Sequence, residues 1–218
     1  RVNFICESNY TENSQLETIG DYAFTQCYSL GGDLLIPNTV TYIGDYAFYS
    51  TSINSLNFEE NSQLNSIGNY SFQNCSNLSG DLLIPNTVTY IGNNTFHSCH
   101  SLTSIEIPAS VTYIGERVFN WDSMLASITV DEENTVYDSR NNCNAIIETS
   151  TNKLISGCKN TIIPNTVTSI SVAAFGGYEV LESIEIPSSV TYIADEVFSG
   201  FTCSFTVIRG IPKYLSLE

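Results

Sequence analysis

The chain has 218 residues, 42% of them apolar and only 14% charged, with 23 acidic against 7 basic side chains. A net charge of −16 excludes the basic footprint that nucleic-acid binding needs and the polybasic attraction to an anionic membrane surface. No apolar run approaches the roughly 18 residues of a membrane-spanning helix, and seven cysteines leave at least one thiol without a partner in the chain.

In chain order, Arg1-Val2-Asn3 opens in mid-pattern, as a trimmed or mature protein does, with no targeting signal in view. The pattern itself is a repeat. GDLLIPNTVTYIG stands at residues 32–44 and again, unchanged, at 80–92. Phe24, Phe48, Phe72 and Phe96 are spaced by 24, Phe119 follows after 23, Phe175 after 56 and Phe198 after another 23. Each closes the same lead: IGDYAF, IGDYAF, IGNYSF, IGNNTF, IGERVF, ISVAAF, IADEVF. That makes seven units of 23–24 residues with one long interval. Between the two verbatim phrases, LNFEENSQLNSIG at 56–68 is a variant with Leu64 in place of Val40 and Val88, and Ser14-Gln15-Leu16 opens with the same variant. The units therefore alternate, as duplication of a two-unit block produces.

Each unit has three parts. The first is an alternating segment such as SIEIP at 104–108 and 183–187, a strand with Ile105 and Ile107 on one side and Ser104 and Glu106 on the other. Pro37, Pro85, Pro108, Pro164 and Pro187 end five of these strands, because proline offers no further ladder N–H. The second part is VTYIG, where Gly44, Gly68, Gly92 and Gly115 are predicted to take positive φ at a corner. The third, DYAF, predicts a single helical turn, with Asp21, Asp45 and Asp195 capping it or facing its dipole. One unit buries too little to fold alone. Stacked at ~4.8 Å, each residue lies over its own copy, giving an isoleucine ladder, a phenylalanine ladder and an asparagine ladder at 38, 61, 86 and 165.

The interval between Phe119 and Phe175 holds a hairpin-like insertion at about 131–163. Ile146-Ile147-Glu148 and Lys153-Leu154-Ile155 flank the polar turn Thr149–Asn152. With the turn centred between 150 and 151, Cys143 falls opposite Cys158, so either a disulfide or two reduced, half-buried thiols is expected. Cys75 and Cys99, at equivalent sites, predict a ladder of free thiols, and Cys6 and Cys203 near opposite ends are not expected to meet. Asp131-Glu132-Glu133 with Asp138 reads as a solvated acidic loop, since neither calcium-loop spacing is present. No metal and no cofactor is predicted. His97 and His100 flank Cys99 without a repeated partner set for hydrolysis, so no enzyme is expected.

Two rows remain as binding candidates. Tyr42, Tyr90, Tyr113 and Tyr192 recur at one position, as either an aromatic stripe for sugars or proteins or a partly buried stack. Leu35, Asn57, Leu83, Glu106, Thr129 and Glu185 are the outward strand residues and the least repetitive positions. In a solenoid such a row lines the extended binding surface, and its mixture of apolar and acidic groups suits a protein partner.

The motif I-x-IP-x-x-VTxIGxxAFxxCxxL resembles the BspA-like leucine-rich repeats of bacterial and protist surface proteins, over nearly the whole chain. VYDSRNNCNAIIETSTNKLISGCKNTIIP at 136–164 is similar to an insertion recurrent in bacterial members. The resemblance implies a right-handed leucine-rich-repeat solenoid, a strand-rich β/α superhelix with short helical turns, with residues 1–218 as one domain. It implies a non-catalytic protein-binding or adhesion module, at a cell surface or secreted. The implied partners are host extracellular-matrix glycoproteins such as fibronectin and fibrinogen, without membrane insertion by this chain. The alternatives are a structural spacer and a glycan-binding module along the tyrosine row.

Overall fold

In the computed structural model, which describes residues 14–178 and 184–200, the repeat period closes into the coils of a strand-rich β-solenoid. The strands in chain order are β1 (Thr18–Ile19), β2 (Gly31–Ile36), β3 (Tyr42–Ile43), β4 (Ser52–Phe58), β5 (Ser66–Ile67), β6 (Gly80–Leu83), β7 (Tyr90–Ile91), β8 (Leu102–Ile107), β9 (Tyr113–Ile114), β10 (Ser127–Val130), β11 (Tyr137–Asp138), β12 (Ala145–Glu148), β13 (Lys153–Gly157), β14 (Ser169–Ile170) and β15 (Tyr192–Ile193). The alternating segments make the long even-numbered strands up to β10, and the corner segments (TI, YI or SI) make the two-residue β1, β3, β5, β7, β9, β14 and β15.

Coil stacks on coil in register. The short strands form a parallel ladder β1-β3-β5-β7-β9 that places Ile19, Ile43, Ile67, Ile91 and Ile114 one above another, all buried. The Phe24, Phe48, Phe72, Phe96 and Phe119 rings follow one another at 5.1, 5.2, 5.5 and 5.8 Å between centroids, nearly parallel. A single buried apolar cluster runs from Ile19 to Val197.

The DYAF segment departs from the expected helical turn. Its amides alternate between two directions. Tyr46, Phe48 and Ser50 donate to the carbonyls of Asn69, Ser71 and Gln73 in the next coil, while Ala47, Tyr49 and Thr51 close turns onto Gly44, Tyr46 and Phe48. A helix would direct every amide into its own coil and leave the neighbouring carbonyls unmet. The alternation needs a left-handed residue every fourth position, and Tyr46 (φ 55°) and Ser50 (φ 56°) supply it. The one helical element among the described residues is the 3-10 turn Arg140–Asn142 in the insertion.

The corner glycines also differ from expectation. Gly44, Gly68, Gly92 and Gly115 are absent from the left-handed region, where Gly32, Gly80, Gly177 and Gly200 lie. Their role is close approach: a Cβ on Gly68 would stand 2.7 Å from the Gly44 carbonyl carbon, and one on Gly44 would stand 2.5 Å from the Asp21 nitrogen. Beside them, Asp21 and Asp45 cap the neighbouring coil rather than a helix of their own. Asp45 N–H donates to Asp21 Oδ1 at 2.9 Å and Asn69 N–H to Asp45 Oδ1 at 2.7 Å. The series continues with Asn93 N–H to Asn69 Oδ1 and Glu116 N–H to Asn93 Oδ1, each at 2.8 Å. Asp195 contributes its main-chain carbonyl to Ala173 N–H. An asparagine ladder thus forms at 69 and 93, positions other than the expected 38, 61, 86 and 165. At Asn38 the side-chain amide donates instead to the Glu60 carbonyl.

Two irregularities shape the surface. Eight residues lead from Ile36 to Gly44, whereas ten lead from its partner Phe58 to Gly68, and no proline ends β4. The longer corner displaces β4, and the outer strands divide into β2-β4 and β6-β8-β10. Ser79 N–H still reaches the Asn54 carbonyl at 3.0 Å, so β4 and β6 meet at one end and part at the other.

The second irregularity is the insertion, whose antiparallel β11-β12-β13 joins β14 and β15 in one sheet. Near the turn its register is as predicted, with Glu148 opposite Lys153. A bulge at Ile146/Ile147 then sets Ala145 opposite Gly157. The shift of one residue takes Cys143 out of line with Cys158, and of the two expected states the reduced one is found: both are free thiols, buried rather than half-buried. Cys158 Sγ lies 3.4 Å from the Asn144 carbonyl instead.

Candidate functional site

The outward row is built by strand alternation. Leu35 pairs in register with Asn57, and Leu83, Glu106 and Thr129 lie side by side on β6, β8 and β10. Their neighbours in sequence, Leu34, Leu56, Leu82, Ile105 and Ile128, all point into the core. Asn57, Leu83, Glu106, Thr129 and Glu185 are exposed, and Leu35 is half-buried. One member escaped the sequence reading. Ile162 stands two residues before Pro164, as Leu83 does before Pro85 and Glu106 before Pro108. It is 75% exposed, against 66% for Leu83, and alignment on the prolines would have found it.

Three recesses open along this face. Where β4 and β6 part, a cleft of about 540 Å³ lies between Asn57, Phe58 and Glu59 on one wall and Asp81 and Leu83 on the other. Its floor includes Leu56 and Ile84, both buried. Where the row meets the insertion, Glu106, Thr129, Asp131, Asp138 and Arg140 line a recess of about 750 Å³. A third, of about 440 Å³, lies between Ile162 and Ile163 on one side and Ile184 and Glu185 on the other.

The second recess is acidic, and its one basic side chain is committed. Arg140 Nε donates to Asp138 Oδ1 at 2.7 Å and Nη1 to Asn152 Oδ1 at 2.7 Å, fixing the insertion's turn against β11. Burial opposes ionisation of Asp138, but Arg140 and Thr149 outweigh it and hold the carboxyl below its ordinary range.

The tyrosine row is broken. Tyr42, Ser66, Tyr90 and Tyr113 occupy successive corners, and Tyr192 lies over Ser169 beyond the insertion. Tyr90 and Tyr113 stack at 4.8 Å with planes 5° apart, so each ring covers a face of the other. A different stack was missed in the sequence: Tyr22, Tyr46 and Tyr70 at 5.0 and 4.6 Å, all at left-handed positions. The signal was the Tyr in DYAF, DYAF and NYSF.

The thiol ladder is present and chemically quiet. Cys75 Sγ lies 3.2 Å from the Phe48 carbonyl and Cys99 Sγ 3.3 Å from that of Phe72. Burial pushes the Cys75 thiol up to about 11. Burial and the Arg117 charge lower His97, while the Cys99 thiol beside it turns to the Phe72 carbonyl, so the two form no nucleophile–base pair. Among the described residues no group of three or more His, Cys, Asp or Glu could hold a metal ion, and no helix is long and apolar enough to cross a membrane. Cys6 and Cys203 lie outside the described residues.

The sequence profile of the BspA type leucine rich repeat region matches residues 6–126, 57–155, 80–199 and 147–213. The chain is a BspA-type leucine-rich repeat protein. Among solved structures this BspA-type chain is similar to a leucine-rich repeat protein from Eubacterium ventriosum, at 30% identity and a TM-score of 0.74. That likeness covers 87% of this chain and 50% of the other, so the chain spans about half of its relative's length. The pneumococcal vaccine antigen PcpA shares the fold at 20% identity and a TM-score of 0.58, over 91% of this chain and 44% of that one. A leucine-rich repeat protein from Bacteroides ovatus does so at 22% identity and 0.54, over 94% and 44%. No curated protein matches the chain.

Proposed function

We propose that this BspA-type chain is a non-catalytic protein-binding module of a surface or secreted protein, and that its partner docks along the outward row. One observation carries this reading: the outward row changes from coil to coil while its inward neighbours stay Leu or Ile, and all of its members except half-buried Leu35 are exposed and line the three recesses. A repeat kept uniform by stacking has no packing reason to vary there. Exposed Leu83 and Ile162 offer apolar anchors, while Glu106 and Glu185 favour a partner with basic groups. Host extracellular-matrix glycoproteins are the partner class that the family resemblance implies.

The test is saturable binding to immobilised fibronectin and fibrinogen. Glu106→Lys with Glu185→Lys, and separately Leu83→Asp with Ile162→Asp, are expected to abolish it. Tyr90→Ala with Tyr113→Ala is expected to keep it, because the two rings stand at the corners, away from the outward row. Binding that survives both row variants would refute this placement. No saturable binding to either glycoprotein would favour the spacer reading.

A further inference from the structure

One buried group has no part in that binding face. The position just after each arc reads Thr51, Cys75, Cys99 and Asp122 in successive coils, and every one of these side chains is buried. The first three are neutral and hydrogen-bonded: Thr51 Oγ1 to Cys75 Sγ at 3.3 Å, and the two thiols to phenylalanine carbonyls. Asp122 puts a carboxyl into the same dry column. Its Oδ1 accepts the Cys99 N–H at 2.7 Å. Its Oδ2 is buried and has no hydrogen-bond partner.

The groups facing it are acids too. Cys99 lies in the preceding coil. Beyond it stands Tyr178, fully buried, whose hydroxyl donates to the Gly157 carbonyl at 3.1 Å, with Cys158 beside it. Lys159 acts on Cys158, and among the described residues no cation faces Asp122. A carboxylate in such a place would have one hydrogen bond and no counter-ion, which burial penalises heavily. A carboxylic acid costs less there: Oδ1 still accepts the Cys99 N–H, and a protonated Oδ2 buries no charge.

We propose that Asp122 is a proton-dependent latch, closing the junction between the Cys99 coil and the insertion as a neutral acid and loosening it on ionisation. Burial holds its carboxyl well above the ordinary range. The folded chain therefore keeps a proton that the unfolded chain releases near about pH 4. Stability from this group is fully present below about pH 4 and is lost as pH rises toward the folded value, at up to about tenfold in the folding constant per pH unit.

The chain carries its own reporter. Trp121 is its one tryptophan. The Trp121 N–H donates to the Gly176 carbonyl at 2.9 Å, and a Cβ on Gly177 would lie 2.7 Å from the indole. The experiment is urea unfolding of the whole chain, followed by Trp121 fluorescence from pH 4 to pH 9, with Asp122→Asn beside the wild type. Asparagine keeps the acceptor for Cys99 and removes the proton. Since the other carboxylates are common to both chains, their difference isolates Asp122. The two should coincide at pH 4, and the variant should gain as pH rises, by up to about tenfold per unit. Parallel pH curves would overturn the latch. If the variant does not fold, the infrared carbonyl band of a protonated carboxyl in the wild type at neutral pH decides: its presence supports the latch and its absence overturns it.

Discussion

At Gly68 a Cβ would meet the backbone of Gly44 at 2.7 Å, whereas at Gly20 it would meet none of the described residues within 4 Å. Gly68→Ala is therefore expected to cost about 1–3 kcal/mol, as overpacking does, and Gly20→Ala to leave the urea midpoint nearly unchanged. Equal losses at both would show that coil spacing does not set the glycine requirement. The sequence marks these corners as glycine positions, but crowding between coils and a positive φ leave the same letter, and only the structure separates them. The thiols were easier to read, because copies at one period point the same way. Native labelling with iodoacetamide at pH 8 is expected to modify exposed Cys27 and spare Cys75 and Cys143, which burial pushes up to about 11. Rapid native modification of Cys75 would contradict the buried column.

Among the elements, the strands were legible and the arcs were not. Apolar alternation and the terminal prolines fix β8, for example, in sequence as in space. An arc has no such mark, since its left-handed positions are filled by Tyr, Asn, Arg, Ser and Trp as well as by glycine. The penalty for these residues is modest, about 1–2 kcal/mol each, and hydrogen bonds to the next coil offset it. Ser98 (φ 63°) stands where later coils have Gly177 and Gly200. Ser98→Gly is thus expected to raise stability by about 0.5–1 kcal/mol in urea titration, and a loss of that size would argue against the left-handed arc. The parting of β4 from β6 was hidden for a related reason. The period stays at 24 through Phe48, Phe72 and Phe96, because the longer corner after Phe58 is compensated by an earlier strand start. The cleft beside Leu83 follows from that offset and not from any motif. In the insertion, a single bulge was enough to separate two cysteines that symmetry about the turn had placed together.

At the scale of the whole molecule, the repeated phrase is kept by packing. Each coil contacts chiefly its neighbours, so stability should be a sum over coils and interfaces. Residues 45–92 are one two-unit block, and their removal joins Gly44 to Asn93 just as Gly92 joins it in the intact chain. The corner hydrogen bond would then run from Asn93 N–H to Asp21 or its equivalent. Urea unfolding of the chain lacking residues 45–92 tests this most directly. A single cooperative transition is expected, at a lower midpoint, with the β-type spectrum retained. The m-value should fall by roughly a fifth, in proportion to the 48 of 218 residues removed. A chain that no longer folds, or one whose midpoint and m-value do not change, would contradict the claim that the repeat is a unit of packing.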